Sequence, residues 1–217
     1  MLIEDIMQTK VVTVTPADSV AEALRRTRAG RFRHLPVVEG ERLVGVVSDR
    51  DLRTSASALV AEEVEALLKR TRVEAVMHSQ VIVAHPLDPV EEAARLMYEH
   101  KIGCLPVISG DRLVGIVTET DVLRWFVEVS GGLQTGSRLE IEAPDRPGVL
   151  AEVGQLTLRH RINVASIFTT PAKREGYKVL VVRLQALDLR PLVRDLKEAG
   201  YAVRWPNPLG AAGVPAP

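Results

Sequence analysis

The chain has 217 residues, 46% hydrophobic but only 4% aromatic, so its core must be aliphatic. Its 28 basic and 28 acidic side chains cancel, unlike the basic footprint of a nucleic-acid binder. A single cysteine, Cys104, excludes an intramolecular disulfide framework and a cysteine-rich metal site. No run approaches roughly 18 apolar residues, and Met1-Leu2-Ile3-Glu4-Asp5 lacks the regions of a signal peptide, so a cytoplasmic protein is expected.

In chain order, Val11-Val12-Thr13-Val14 is β-branched and predicts a short strand. Pro16-Ala17-Asp18-Ser19 ends it and caps a helix in which Val20, Ala23, Leu24 and Thr27 recur at helical spacing. Leu35-Pro36-Val37-Val38 predicts a second strand, Glu39-Gly40-Glu41 a hairpin turn, and Arg42–Val47 the paired third strand. Ser48-Asp49-Arg50-Asp51 then opens a helix. Shifted by 70 positions, the chain matches itself without a gap. Met7 falls on Met77, Pro16 on Pro86, Leu35-Pro36-Val37 on Leu105-Pro106-Val107, Leu43-Val44-Gly45 on Leu113-Val114-Gly115, and Asp51 on Asp121. The chain therefore carries a duplicated unit. One copy spans 1–56, a helical connector 57–72, and the second copy 73–130.

Residues 136–205 predict a third domain. Arg138–Glu142 alternates as a strand, Asp145-Arg146-Pro147-Gly148 turns into a helix through about His160, and Ile162–Ile167 and Tyr177–Leu184 are strands. An amphipathic helix from Leu189 to Ala199 stops at Gly200, and Tyr201–Arg204 is a last strand. The order βαββαβ is ferredoxin-like, so the class is α/β (α+β). The Pro-, Gly- and Ala-rich stretch 206–217 is expected to be a flexible tail.

Two motifs could carry chemistry. Ser48-x-x-Asp51 and its repeat Thr118-x-x-Asp121 each follow an apolar strand and open a helix. They read equally as capping boxes or as a ligand site. In the second case the helix N-terminus faces phosphate, the carboxylate faces the ribose hydroxyls, and Arg50 adds charge. The second copy has Glu119-Thr120 where the first has Asp49-Arg50, so it lacks that basic residue. Asp145-Arg146-Pro147-Gly148-Val149-Leu150 is the other motif, and reads first as a tight turn with a capped helix. None of the five histidines pairs at i,i+4 with another histidine or a cysteine, so a metal site is not expected. No nucleophile–base pair, serine elbow or Walker loop stands out, so no catalytic residue is assigned.

On His34-Leu35-Pro36-Val37, on Leu43 through Leu52 and on their second-copy partners, each unit resembles a CBS domain, and the pair a Bateman module. The resemblance implies an adenine nucleotide or adenosyl ligand, with AMP, ADP, ATP or S-adenosylmethionine as regulatory candidates and no catalytic cofactor. It implies Ser48, Asp51, Thr118 and Asp121 for ribose. For adenine it implies backbone and apolar side chains of Thr13, Val14, Val83, Ala84, Leu35 and Leu105. Arg50, Arg33 and His34 could reach phosphate. On Asp145-x-Pro147-Gly148-Val149-Leu150 and Ile162-Asn163-Val164 the third domain resembles an ACT domain. That implies an amino acid or other small metabolite held between two such domains by Asp145, Gly148, Val149, Leu150 and Asn163. Ala143 stands where serine-sensing relatives carry a histidine, which argues against serine. Two CBS units followed by ACT resemble the AcuB-like acetoin-utilisation proteins. The implied function is a homodimeric, non-enzymatic sensor that acts on a regulated protein and contacts neither nucleic acid nor membrane. The other reading is a scaffold or interaction module that binds no ligand.

Overall fold

The computed structural model describes residues 1–54 and 61–206, and they divide into two compact units between Arg124 and Trp125. The predicted residues 57–60 of the connector and 207–217 of the tail lie outside the described residues.

In the first unit, the first copy contains α1 (Val20–Gly30), β1 (His34–Glu39), β2 (Arg42–Ser48) and α2 (Asp49–Thr54). The Ser19 hydroxyl caps α1 by accepting from the Glu22 amide. Helix α3 (Ala61–Arg70) follows. The second copy contains α4 (Val90–His100), β3 (Cys104–Ser109), β4 (Arg112–Thr118) and α5 (Glu119–Val129), whose residues from Trp125 on belong to the second unit. Each hairpin is antiparallel with a two-residue loop, and both glycines there, Gly40 and Gly110, have positive φ. The hairpins join through Arg42 and Arg112 into one sheet, ordered β1-β2-β4-β3.

The strand expected over Val11–Val14 shrinks to one parallel bridge, Val14 with Val37, and its repeat to Ala84 with Val107. The cause is that each segment serves two hairpins. Gln8 bridges Ile116 of the second copy before Val14 reaches the first, and His78 bridges Val46 of the first copy before Ala84 reaches the second. A segment that changes partner midway cannot build a continuous ladder.

Core membership crosses the repeat boundary in the same way. Ile3, in a short 3-10 turn (Ile3–Asp5), is fully buried in the second copy's core with Ala93, Leu105 and Val117. Val73, its repeat mate, is fully buried in the first copy's core with Val20, Leu35 and Val47. Glycine makes this exchange fit. A Cβ on Gly115 would lie 2.6 Å from Met7 Sδ, and one on Gly45 2.8 Å from Met77 Sδ. Each repeat thus lends its first residues to the other.

In the second unit, β5 (Ser137–Pro144), α6 (Val149–Arg159), β6 (Val164–Pro171), β7 (Tyr177–Leu184), α7 (Arg190–Glu198) and β8 (Ala202–Trp205) form an antiparallel sheet ordered β6-β7-β5-β8. This is the expected ferredoxin-like βαββαβ arrangement. Helices α6 and α7 lay Val153, Leu156, Leu192 and Leu196 on Leu139, Ile141, Leu180 and Val182 of the sheet. Strand β6 starts at Val164 rather than Ile162, because Asn163 is taken up by Gln185. Among the described residues no helix is long and apolar enough to cross a membrane.

Candidate ligand clefts

Both helices that follow the hairpins open on a formed capping box. The Asp51 Oδ2 accepts from the Ser48 amide at 2.9 Å and from its hydroxyl at 2.5 Å, while Ser48 Oγ accepts from the Asp51 amide at 3.2 Å. The Thr118–Asp121 pair repeats this at 3.0, 2.6 and 3.4 Å. In each box one carboxylate oxygen, Oδ2, does the capping.

The other oxygen, Oδ1, meets a side chain from the opposite copy. The Gln8 amide donates to Asp121 Oδ1 at 3.1 Å, and His78 Nε2 lies 3.5 Å from Asp51 Oδ1. Neither Gln8 nor His78 was a predicted site residue. The one signal for them in the sequence is that the 70-residue shift puts both at one repeat position. Each cleft therefore combines the motif of one copy with the opening segment of the other. Burial pushes the Asp51 carboxyl up, but hydrogen bonds from Ser48 and the nearby His78 outweigh it and hold it below the ordinary value. Segment 78–83 runs on from Asp51 along β2 to a cleft of about 300 Å³ lined by Leu43, Val44, Val81, Val83, Ile108 and Asp111. That volume is at the small end of ligand pockets.

The implied adenine contacts divide. Thr13 and Val83 are half-buried. Val14, Ala84, Leu35 and Leu105 are core residues, with Leu35 and Leu105 at 0% exposure. The Val14 and Ala84 amides and carbonyls already bond to the strands beside them, and the Thr13 carbonyl accepts from Arg26 at 2.6 Å. Arg33 and Arg50 are exposed, and His34 is half-buried. The His34 ring lies against the second copy: a Cβ on Gly103 would sit 2.9 Å from its Cε1 and 3.5 Å from Glu119 Oε2. Burial also pushes the Cys104 thiol, with Glu119 adding to it, up to about 12, so it is not a nucleophile at neutral pH.

Burial holds His34 below its ordinary value of 6.5, reinforced by Arg33 and opposed by Glu119 and Asp51. The unfolded chain therefore takes up this proton at higher pH than the folded one. Stability from keeping His34 neutral is complete above about pH 6.5 and is lost as pH falls from there through the folded value. Urea unfolding should show a less stable protein at pH 5 than at pH 7, with a smaller difference in His34→Gln. An undiminished difference in that variant would assign the pH dependence elsewhere.

In the second unit, Asp145, Gly148, Val149 and Leu150 come together at the start of α6. Gly148 takes the left-handed conformation there (φ +91°). Asp145 pairs with Lys178 at 2.5 Å, Val149 is buried, and Leu150 is 56% exposed. Arg146 holds Glu152 at 2.7 and 3.0 Å, and the Tyr201 hydroxyl donates to the same carboxylate. Asn163 is not with them. It precedes Val164, which pairs with Leu184 beside Ser137, whereas the 145–150 loop follows Pro144, paired with Tyr177 at the far end of the sheet. A cleft of about 720 Å³ in this unit is lined instead by Arg138, Leu187, Leu189, Val193, Lys197 and Trp205.

The chain matches the CBS domain over residues 3–57 and 73–128 and the ACT domain over 137–200. It belongs to the CBS-domain family, as a tandem CBS pair followed by an ACT domain. Among solved structures it is similar to a Vibrio cholerae protein assigned to acetoin utilization (AcuB), 31% identical with a TM-score of 0.53, covering 63% of this chain and 98% of that one. The CBS pair of Methanocaldococcus jannaschii protein MJ0100, in complex with 5′-methylthioadenosine and S-adenosyl-L-methionine, is 29% identical (TM-score 0.51, 62% of this chain, 98% of that one). Arabidopsis thaliana CBSX2 in complex with AMP is 30% identical (TM-score 0.51, 59% and 97%). The chain spans 47%, 93% and 45% of the length of three curated relatives.

Proposed function

We propose that this protein is a non-enzymatic sensor whose CBS clefts bind an adenine nucleotide or adenosyl compound. The observation that carries this reading is the division of labour within each carboxylate. Oδ2 caps its helix, while Oδ1 of Asp51 and of Asp121 points to a side chain of the opposite copy. A vicinal diol can donate to such an oxygen without undoing the cap. Similar CBS pairs hold 5′-methylthioadenosine, S-adenosyl-L-methionine or AMP, which supports the ligand class. A ligand touching both copies would bind one arrangement of them more tightly than another, and that difference is what a sensor transmits to a regulated partner.

The ACT domain is read as a second effector site for an amino acid or small metabolite. Since Asn163 and the 145–150 loop sit at opposite ends of one sheet, an effector touching both takes Asn163 from a second chain, which makes the sensor a homodimer. Cytoplasmic residence is part of the same reading.

Thermal unfolding with AMP, ADP, ATP and S-adenosylmethionine tests it. A ligand at about one hundred times its Kd should add about 2.7 kcal/mol. No shift with any of the four would overturn the reading. The formed capping boxes would then favour a scaffold in which these residues only cap helices.

A further inference from the structure

The two clefts occupy equivalent positions but differ in the charged residues around them. Arg50 and Arg53 flank Asp51 in the chain, the Arg33 carbonyl reaches the start of α2, and His78 faces Asp51 across the cleft. At the start of α2 the Arg33 carbonyl accepts from the Asp49 amide at 2.8 Å, and Asp49 is neutralised by Arg53 at 2.9 Å. The repeat positions around Asp121 are Gly103, Thr120, Leu123 and Gln8. The three arginines, and His78 with them, are each replaced by a residue without a charged or titratable side chain. Glu119 stands at the place of Asp49, exposed, with Leu123 where its arginine partner would be. Among the described residues no cation of Arg or Lys pairs with it. Arg124 lies 3.9 Å from Asp121 Oδ1 and is directed at that carboxylate.

A phosphate brings about −1.5 to −2 charges at pH 7. In the first cleft it meets Arg33 and Arg50 beside the Asp49–Arg53 pair. In the second it meets the Glu119 carboxylate, with no arginine at position 120. An uncharged thioether or a sulfonium has no such conflict, and a cation is drawn to Glu119. Resting on the sensor reading above, we propose that the clefts divide adenosyl ligands by charge. The Asp51 cleft takes a 5′-phosphorylated adenosine, and the Asp121 cleft takes one whose 5′ substituent is uncharged or cationic.

Titration calorimetry on the full chain tests this with AMP and 5′-methylthioadenosine. The expected result is one AMP per chain, with 5′-methylthioadenosine still binding when AMP is saturating. Arg50→Thr should weaken AMP about tenfold or more and leave the AMP-saturated binding of 5′-methylthioadenosine unchanged. Glu119→Asp combined with Thr120→Arg should raise the AMP stoichiometry from one to two. Two AMP per chain in the unaltered protein, or complete displacement of 5′-methylthioadenosine by AMP, would overturn the division while leaving the sensor reading in place. Binding of neither compound would overturn both.

Discussion

Replacing Ile3 with Ala is expected to destabilise the CBS unit by about 2–5 kcal/mol, the usual range for truncating a fully buried isoleucine. The position of the loss is as informative as its size. Ile3 has 0% exposure and packs with Ala93, Met97, Leu105 and Val107 of the second copy. Hydrogen exchange should therefore show lost protection in β3 and β4, about a hundred residues away in sequence, with α1 and β1 less affected. Val73→Ala should do the reverse, loosening the first copy through Val20, Leu35 and Val47. Loss of protection confined to the copy that contains the substitution would refute the reciprocal exchange of opening segments. The loss should also appear as a lower urea midpoint with an unchanged slope, since the surface exposed on unfolding barely changes.

The second large effect is expected from Asp51→Ala. Two consequences are separable because the two oxygens do different things. Losing Oδ2 removes one half of the capping box of α2 and leaves the bond from the residue 51 amide to Ser48 Oγ, at a cost within the roughly 0.5–2 kcal/mol of a full cap. Losing Oδ1 removes a charged acceptor from the cleft, worth about 1.5–3 kcal/mol per hydrogen bond, or roughly 10- to 150-fold in affinity for an adenosyl ligand. Calorimetry with AMP on the folded variant reads the second, and urea unfolding reads the first. Lost stability with AMP affinity unchanged would mean that Asp51 is a cap and nothing more. Asp51→Asn sharpens the comparison, because the amide keeps one acceptor oxygen but no charge, and AMP affinity should still fall.

The capping boxes were legible in the sequence because their contacts are local. Ser48 to Asp51 and Thr118 to Asp121 each span three residues, and a hydroxyl or carboxylate at that spacing before a helix has few other partners. Periodicity also located both hairpins and β7, where apolar runs are bounded by glycine turns. Less was legible where one chemistry serves two purposes. Leu35, Leu105, Val14 and Ala84 occupy the positions implied for adenine, yet their side chains are packed inside the two cores. Apolar residues at strand positions fit a core and a ligand pocket equally well, and only burial separates the two.

The duplication itself, the helix, hairpin and following helix of each copy and the βαββαβ order of the third domain follow from the sequence alone. They rest on a repeat at fixed offset, on side-chain periodicity and on turn residues, all of which act over short distances. What only the tertiary structure decided is which copy each segment serves. Gln8 meets Asp121 across 113 positions, His78 meets Asp51, and Ile3 and Val73 fill each other's cores. Two copies with the same pattern offer each opening segment two nearly equivalent partners. Local preference cannot choose between them, and the choice falls to packing, where Gly45 and Gly115 leave room for a methionine from the other copy.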